Sequence, residues 1–167
     1  MPEHLRDRED ILQLVTFALG SEDYAVDILK VQEINRMTDI ARVPKAPPFV
    51  EGVINLRGRV IPVVSLRKRF GLPEKQSDEK SRIIVMDVRG VIVGLMVDSV
   101  SEVLRIPPST VEEAPNLNAE VATEFIQGIA KLDDRLIILI DMDALIEKSE
   151  STALVEAAAD GRDVKEE

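Results

Sequence analysis

The residues able to carry reaction chemistry are few. His4 is the one histidine, so neither a histidine triad nor a histidine metal site can be assembled from a single chain. Cysteine is absent, which removes thiolate chemistry. The carboxylate pairs Glu112-Glu113 and Asp133-Asp134 could in principle do acid-base or cation-binding work. Neighbours on a turn usually point apart, however, and solvated surface is the better reading. Ser65 has no base nearby in sequence and suits a helix cap better than a nucleophile. No Gly-x-Gly-x-x-Gly or Gly-x-x-x-x-Gly-Lys-Ser/Thr run offers a phosphate cradle. What remains is charge: Arg57, Arg59, Arg67, Lys68 and Arg69 gather within one stretch of an otherwise acidic chain, either as a contact patch or as solvated surface. The expectation is a protein without catalytic, cofactor or metal residues that works through its surfaces.

Those arginines sit on the block that organises the chain, Phe49 to Phe70. Val53 to Leu56 and Arg59 to Val64 are short β-rich runs on either side of Arg57-Gly58, and Gly58 supplies the positive φ of a tight turn, which predicts a hairpin with Arg57 at its tip. Pro62 cannot donate to a ladder and is expected at an edge or bulge. Ser65 should cap a short helix that Gly71 stops. The block recurs at Phe125 to Met142, shifted by about 76 positions, with Phe49, Gly52, Leu56, Arg59 and Ile61 meeting Phe125, Gly128, Leu132, Arg135 and Ile137. Val31-Gln32-Glu33-Ile34 likewise resembles Val100-Ser101-Glu102-Val103, and Arg42-Val43-Pro44 resembles Arg105-Ile106-Pro107. The chain reads as a duplicated unit whose hairpin tips carry opposite charge, Arg57-Gly58 against Asp133-Asp134.

The 167 residues allow one domain or two small lobes, and the repeat favours two. A hydrophobic content of 45%, a charged content of 31% and a mean hydropathy of +0.01 fit a globular chain, and no apolar run reaches the length of a membrane span. The charged start and the lack of cysteine suit a cytoplasmic home. A net charge of -10 opposes nonspecific attraction to nucleic acid or anionic lipid, and 3% aromatics with no Trp leave little for bases to stack on.

Along the chain, residues 1-10 read as a flexible segment, Ile11 to Leu19 and Tyr24 to Leu29 as a hairpin about the turn Gly20-Ser21-Glu22-Asp23, and Ile28, Val31 and Ile34 as helical or irregular. Lys45 to Pro48 is a stiff connector. The polar stretch 73-81 is the expected lobe boundary, with strand sharing between lobes allowed, and Arg82 to Val88 and Val91 to Val97 form a hairpin about Arg89-Gly90. Residues 114-123 read as an irregular connection. Leu136 to Ile140 is expected to be buried on both faces, with Asp141 or Asp143 capping a helix from Ala144. Residues 149-167 read as a weak helix followed by a disordered acidic tail.

Ile28-Leu29-Lys30-Val31-Gln32-Glu33-Ile34, Gly52-Val53-Ile54-Asn55-Leu56-Arg57-Gly58, Ile61-Pro62-Val63-Val64-Ser65-Leu66-Arg67, Gly94-Leu95-Met96-Val97-Asp98 and Arg135 to Ile140 together resemble the CheW family of chemotaxis coupling proteins, from about Ile11 to Ile146. Ser65 departs from the Asp common there, and both residues cap helices. The resemblance implies a mainly β fold of two SH3-like five-stranded barrels, within a domain spanning 11-148, with a groove between them. It implies a non-enzymatic adaptor whose partners are the cytoplasmic hairpin tip of chemoreceptors and the regulatory domain of the histidine kinase CheA. The protein is then expected to be a monomer when isolated, recruited to membrane-associated arrays without inserting into the membrane. Carried over position by position, the interaction residues are Ile28, Val31, Glu33, Gly52, Arg57, Gly94 and Val103. From residue type alone, Ile28, Val31 and Val103 equally suit a core, and the glycines equally suit tight backbone packing. Arg57, at an exposed tip, suits a contact or a groove-lining salt bridge. A CheW-like scaffold of a different array, a metal-dependent enzyme using the acidic pairs, and an OB-like nucleic-acid binder are the alternatives. No receiver-like segment follows the domain, which is unlike the fused coupling proteins.

Overall fold

Turn chemistry sets the strand pattern. Arg57 (φ 53°) with Gly58 (φ 82°), and Arg89 (φ 53°) with Gly90 (φ 81°), form two-residue turns with both φ angles positive, a geometry whose twist matches the flanking strands. Side chains three residues upstream reinforce them: Gly58 N donates to Asn55 Oδ1 at 3.0 Å and Gly90 N to Asp87 Oδ1 at 2.9 Å. The turns at Gly20 (φ 63°) and Asp133 (φ 50°) open the remaining two hairpins. The computed structural model describes residues 11-113, 125-146 and 155-156, and the expectations for 1-10, 114-123 and all but two residues of the tail lie outside them.

Four hairpins result: β1 (Leu12–Leu19) with β2 (Glu22–Asp27), β4 (Val50–Leu56) with β5 (Arg59–Ser65), β6 (Arg82–Val88) with β7 (Val91–Val97), and β10 (Ile126–Leu132) with β11 (Arg135–Ile140). Three further strands are β3 (Val31–Arg36), β8 (Ser99–Ile106) and the short β9 (Val111–Glu112), and two helical turns are α1 (Leu66–Arg69) and α2 (Met142–Leu145). One sheet runs β3-β6-β7-β5-β4 and the other β8-β1-β2-β11-β10-β9. Each contains one parallel contact, β5 with β7 and β11 with β2.

This order exposes how the repeat is used. The first half of the chain supplies a hairpin, a single strand and a second hairpin, and the second half repeats that order with the short β9 added before its second hairpin. The first hairpin of each half joins the sheet of the other: β6-β7 inserts between β3 and β5, and β1-β2 between β8 and β11. The segment 73-81, expected as a lobe boundary, therefore joins β5 to β6 inside one sheet. The chain instead passes between sheets at the 3-10 turn Ile28–Lys30 and at Asp98.

Alternation along these strands feeds three apolar clusters. Ile54, Ile61, Val63, Ile83 and Val85 fill the first sheet's barrel, and Leu12, Leu14, Ala25, Ile106, Val111, Ala130, Ile137 and Leu139 fill the second. The opposite faces of the same strands meet in the largest cluster, between the barrels, with Val15, Phe17 and Leu19 from β1 and Ile84 and Met86 from β6. All five aromatic residues lie there. Phe17 stacks on Tyr24, Tyr24 meets Phe70 at 5.5 Å between centroids, and Phe70 stacks on Phe125. Arg69 lies over Phe49 and Phe125, at 5.0 and 5.3 Å from their centroids. Burial, with Glu22 nearby, pushes the Tyr24 hydroxyl up to about 12. The architecture is mainly β, with two SH3-like lobes.

Local departures from expectation have physical causes. Val31 to Arg36 is a strand because β6 pairs with it, with a register shift between Val31 and Glu33. Pro62 costs no ladder bond to β4: its partner Val53 directs both backbone groups to Ala41, at 2.8 Å each, so Pro62 faces it in a non-hydrogen-bonded pair, and the pairing of β5 with β7 begins one residue later at Val63. α2 begins at Met142 because Asp141 accepts from the backbone of Asp143 and Ala144. Ser65 caps α1 in the same way through Lys68 N at 3.2 Å. Ile137 to Ile140 is packed on both faces, but Leu136 is 56% exposed.

Candidate protein-interaction site

Glu33 and Arg57 belong to opposite ends of the first sheet, yet Arg57 Nη1 donates to Glu33 Oε2 at 2.5 Å. The contact brings the two ends of the sheet together. The Glu33 carboxyl is held below the usual carboxylate range by hydrogen bonds, first from Asn35 and then from Arg57. A pocket of about 130 Å³ lies at this mouth, lined among others by Gln32, Glu33, Leu56, Arg57 and Arg59. Arg57 keeps 77% of its side chain exposed, so the salt bridge leaves it open to a partner. The second sheet has a related ion-pair network that does not join its two edges, with Arg135 of β11 donating to Glu102 of β8 at 3.0 Å and lying 3.6 Å from Asp23 of β2. Glu102 and Arg135 are the counterparts of Glu33 and Arg59 in the repeat, a signal that sequence reading aligned without assigning a role.

The aliphatic candidates border the cluster between the barrels. Ile28 and Val31 are half-buried and pack against it, as does Val100. Val103 pairs with Val15 and Ile34 with Ile84, and both partners lie in that cluster, so Val103 (49% exposed) and Ile34 (40% exposed) carry the same apolar faces outward to solvent. Leu29, at the crossing turn, is 78% exposed. Ile34 and Leu29 are exposed apolar residues that the sequence-based candidates do not include. The β3 alternation could have pointed to Ile34, whereas no sequence pattern marks an exposed Leu on a 3-10 turn.

Gly52 and Gly94 are buried and touch no open surface. Gly52 has φ 152°, and a methyl there would lie 2.2 Å from the Ala41 carbonyl oxygen. At Gly94 a methyl would come within 2.7 Å of Ile83 Cγ2. Both glycines let neighbouring backbone and side chains approach closely, the tight-packing alternative that residue type alone had left open.

The basic stretch is largely absorbed within the fold. Arg67 makes a two-pronged salt bridge to Asp98, at 2.9 and 2.6 Å. Lys68 pairs with Glu51 and Glu74 at 2.8 and 3.2 Å, and Arg69 Nε donates to the Leu145 carbonyl at 3.0 Å. Among the described residues no group of His, Cys, Asp or Glu is placed to hold a metal, and no helix is long and apolar enough to cross a membrane.

Comparison with known proteins gives one result at every level. Residues 13-150 match the CheW-like domain family. The chain is 38% identical over 147 residues to the chemotaxis protein CheW of Klebsiella aerogenes, covering 88% of each chain. To CheW of Bacillus subtilis it is 35% identical, covering 86% of this chain and 92% of that one. The crystal structure of the scaffolding protein TtCheW from Thermoanaerobacter tengcongensis superposes with a TM-score of 0.77 at 40% identity, over 84% of this chain and 95% of that one.

Proposed function

Because this chain belongs to the CheW family of chemotaxis adaptors, which are not enzymes, we propose that it couples chemoreceptors to a histidine kinase by holding both partners at once. One partner is the cytoplasmic hairpin tip of a methyl-accepting chemoreceptor and the other is the regulatory domain of CheA. The supporting observation is the apolar border of the cluster between the barrels: Ile28 and Val31 on one lobe and Val103 on the other bring its faces to solvent, a surface suited to an amphipathic helix. Glu33 and Arg57 offer charge at the mouth of the first barrel. Gly52 and Gly94 act through strand packing. The adaptor is a cytoplasmic monomer in isolation, and receptor recruits it to membrane-associated arrays. Reconstitution tests this reading. Receptor fragments, kinase and adaptor together should raise kinase autophosphorylation above that of any two components. A kinase rate that ignores the adaptor, with no binding to either partner, would refute it.

A further inference from the structure

The two places where the chain passes between the sheets are each tied to a helical turn by an ion pair. At the second crossing Asp98, the single residue between β7 and β8, receives Arg67 from α1. Its Oδ2 also accepts from Gly20 N at 2.8 Å, in the β1-β2 turn, and its own N–H donates to the Ala18 carbonyl at 3.1 Å. Arg67 Nη1 further donates to the Pro73 carbonyl at 2.7 Å. Arg67 and Asp98 are 16% and 17% exposed. At the first crossing Lys30 pairs with Asp143 of α2 at 3.1 Å, the two side chains being 39% and 44% exposed. The 76-residue repeat that superposes the two blocks carries Arg67 onto Asp143. The two ion pairs thus hold like places with their charges reversed, though the offset that aligns Val31 with Val100 sets Lys30 opposite Ser99, one residue past Asp98. One is well buried and two-pronged, and the other is single and half-exposed.

α2 is further stitched to the first sheet. Arg89 Nε, at the β6-β7 tip, donates to the carbonyls of Asp143 and Ile146 at 2.7 and 2.9 Å, and Arg69 reaches the Leu145 carbonyl. These are carbonyls that the end of a helix leaves without partners of its own. Each pair lies at the seam between lobes, beside the apolar cluster and the directional contacts that Arg69 and Arg89 make across it. Apolar burial is not directional by itself, whereas a two-pronged, low-exposure ion pair at a one-residue crossing admits few orientations.

We propose that Arg67-Asp98, with Lys30-Asp143 as its weaker counterpart, fixes the angle between the two barrels, and that these are positioning residues for bridging two partners. The inference rests on the adaptor reading. An adaptor that must engage two partners together loses the gain of joint binding when its two surfaces are wrongly set, even if each surface is intact.

The chain has no cysteine, so the angle can be measured directly. Nitroxide labels at Arg59→Cys and Asp134→Cys, exposed positions on the hairpins of the two barrels, should give one narrow distance distribution in the parent protein. Arg67→Met with Asp98→Asn removes both charges and keeps an acceptor for Gly20 N. It should broaden that distribution and lower kinase stimulation by about fivefold or more while each binary affinity stays within about twofold. Arg67→Lys should restore part of both. If the double variant does not fold, Arg67→Lys and Lys30→Gln carry the decision, and each should broaden the distribution with binary binding kept. A distribution as narrow as the parent's in a folded variant overturns the proposal, as does loss of stimulation that merely follows loss of both binary affinities. Failure of the parent to stimulate kinase would refute the adaptor reading instead, and the label distances would still decide the latch.

Discussion

At the scale of single residues, burial separates candidates that sequence places side by side. Gly52 and Gly94 have no room for a methyl, and Gly52 also holds a backbone conformation that L side chains rarely adopt. Gly52→Ala should cost roughly 2–4 kcal/mol, since the clash is with backbone. Gly94→Ala should cost less, because the clash is with a side chain rather than backbone, Gly94 is not held at a positive φ, and the register places Ala25 at the matching site of the other barrel. Val103→Asp should change stability by only about 0.5 kcal/mol, its side chain being half in water already, while weakening partner binding. Denaturant unfolding beside pull-downs with each partner checks all three. A Val103 variant that unfolds early would place that residue in the core.

At the scale of elements, the hairpin tips and ion-paired turns carry the charge logic. Arg57→Asp sets a carboxylate against Glu33 at an exposed barrel mouth, where screening keeps the cost small. The melting temperature should fall by a few degrees at most while kinase stimulation is lost. Normal stimulation would make the tip a solvated turn. Acidification acts elsewhere. Burial works to raise the Asp98 carboxyl, and the bonds from Arg67 and Gly20 overcome it, leaving its pKa lowered. Asp78 is brought down to about 2, first by Lys75 and then by the Lys80 backbone. Glu33 is lowered as well. A carboxyl depressed in the folded state makes the unfolded state the stronger proton binder, so its stabilisation is complete above the ordinary carboxylate range and lost as pH falls through the folded value. The melting temperature should hold from about pH 7 to 5 and decline from about pH 4 toward 2. Asp98→Asn should flatten part of that decline in scanning calorimetry.

At the scale of the whole molecule, the exchange of hairpins makes each half of the chain dependent on the other. Opened between Gln76 and Ser77, the first half would hold β1 to β5 and the second β6 to β11, yet β1 with β8, β3 with β6, β5 with β7 and β2 with β11 all pair across the cut. Neither half alone closes a barrel or covers the cluster between them. Each fragment should therefore lack a cooperative unfolding transition, while the two co-expressed should assemble one to one with the parent's circular dichroism. A half that folds alone would contradict this reading of the sheets.

What the sequence determined by itself is local or repeated. The turns at Arg57-Gly58 and Arg89-Gly90, the Ser65 cap, the β4-β5 and β10-β11 hairpins and their duplication are legible because dihedral preference, side-chain alternation and self-similarity act over short spans. The candidate site was legible only as a set of positions. Which of them reach solvent, that Arg57 meets Glu33, that the basic stretch is absorbed in pairs with Asp98, Glu51 and Glu74, and that 73-81 connects two strands of one sheet were decided by tertiary structure. The reason is physical. A β-strand's sequence fixes which side chains share a face, while the choice of neighbouring strand depends on which distant hairpin buries that face, and in this chain that hairpin comes from the other half.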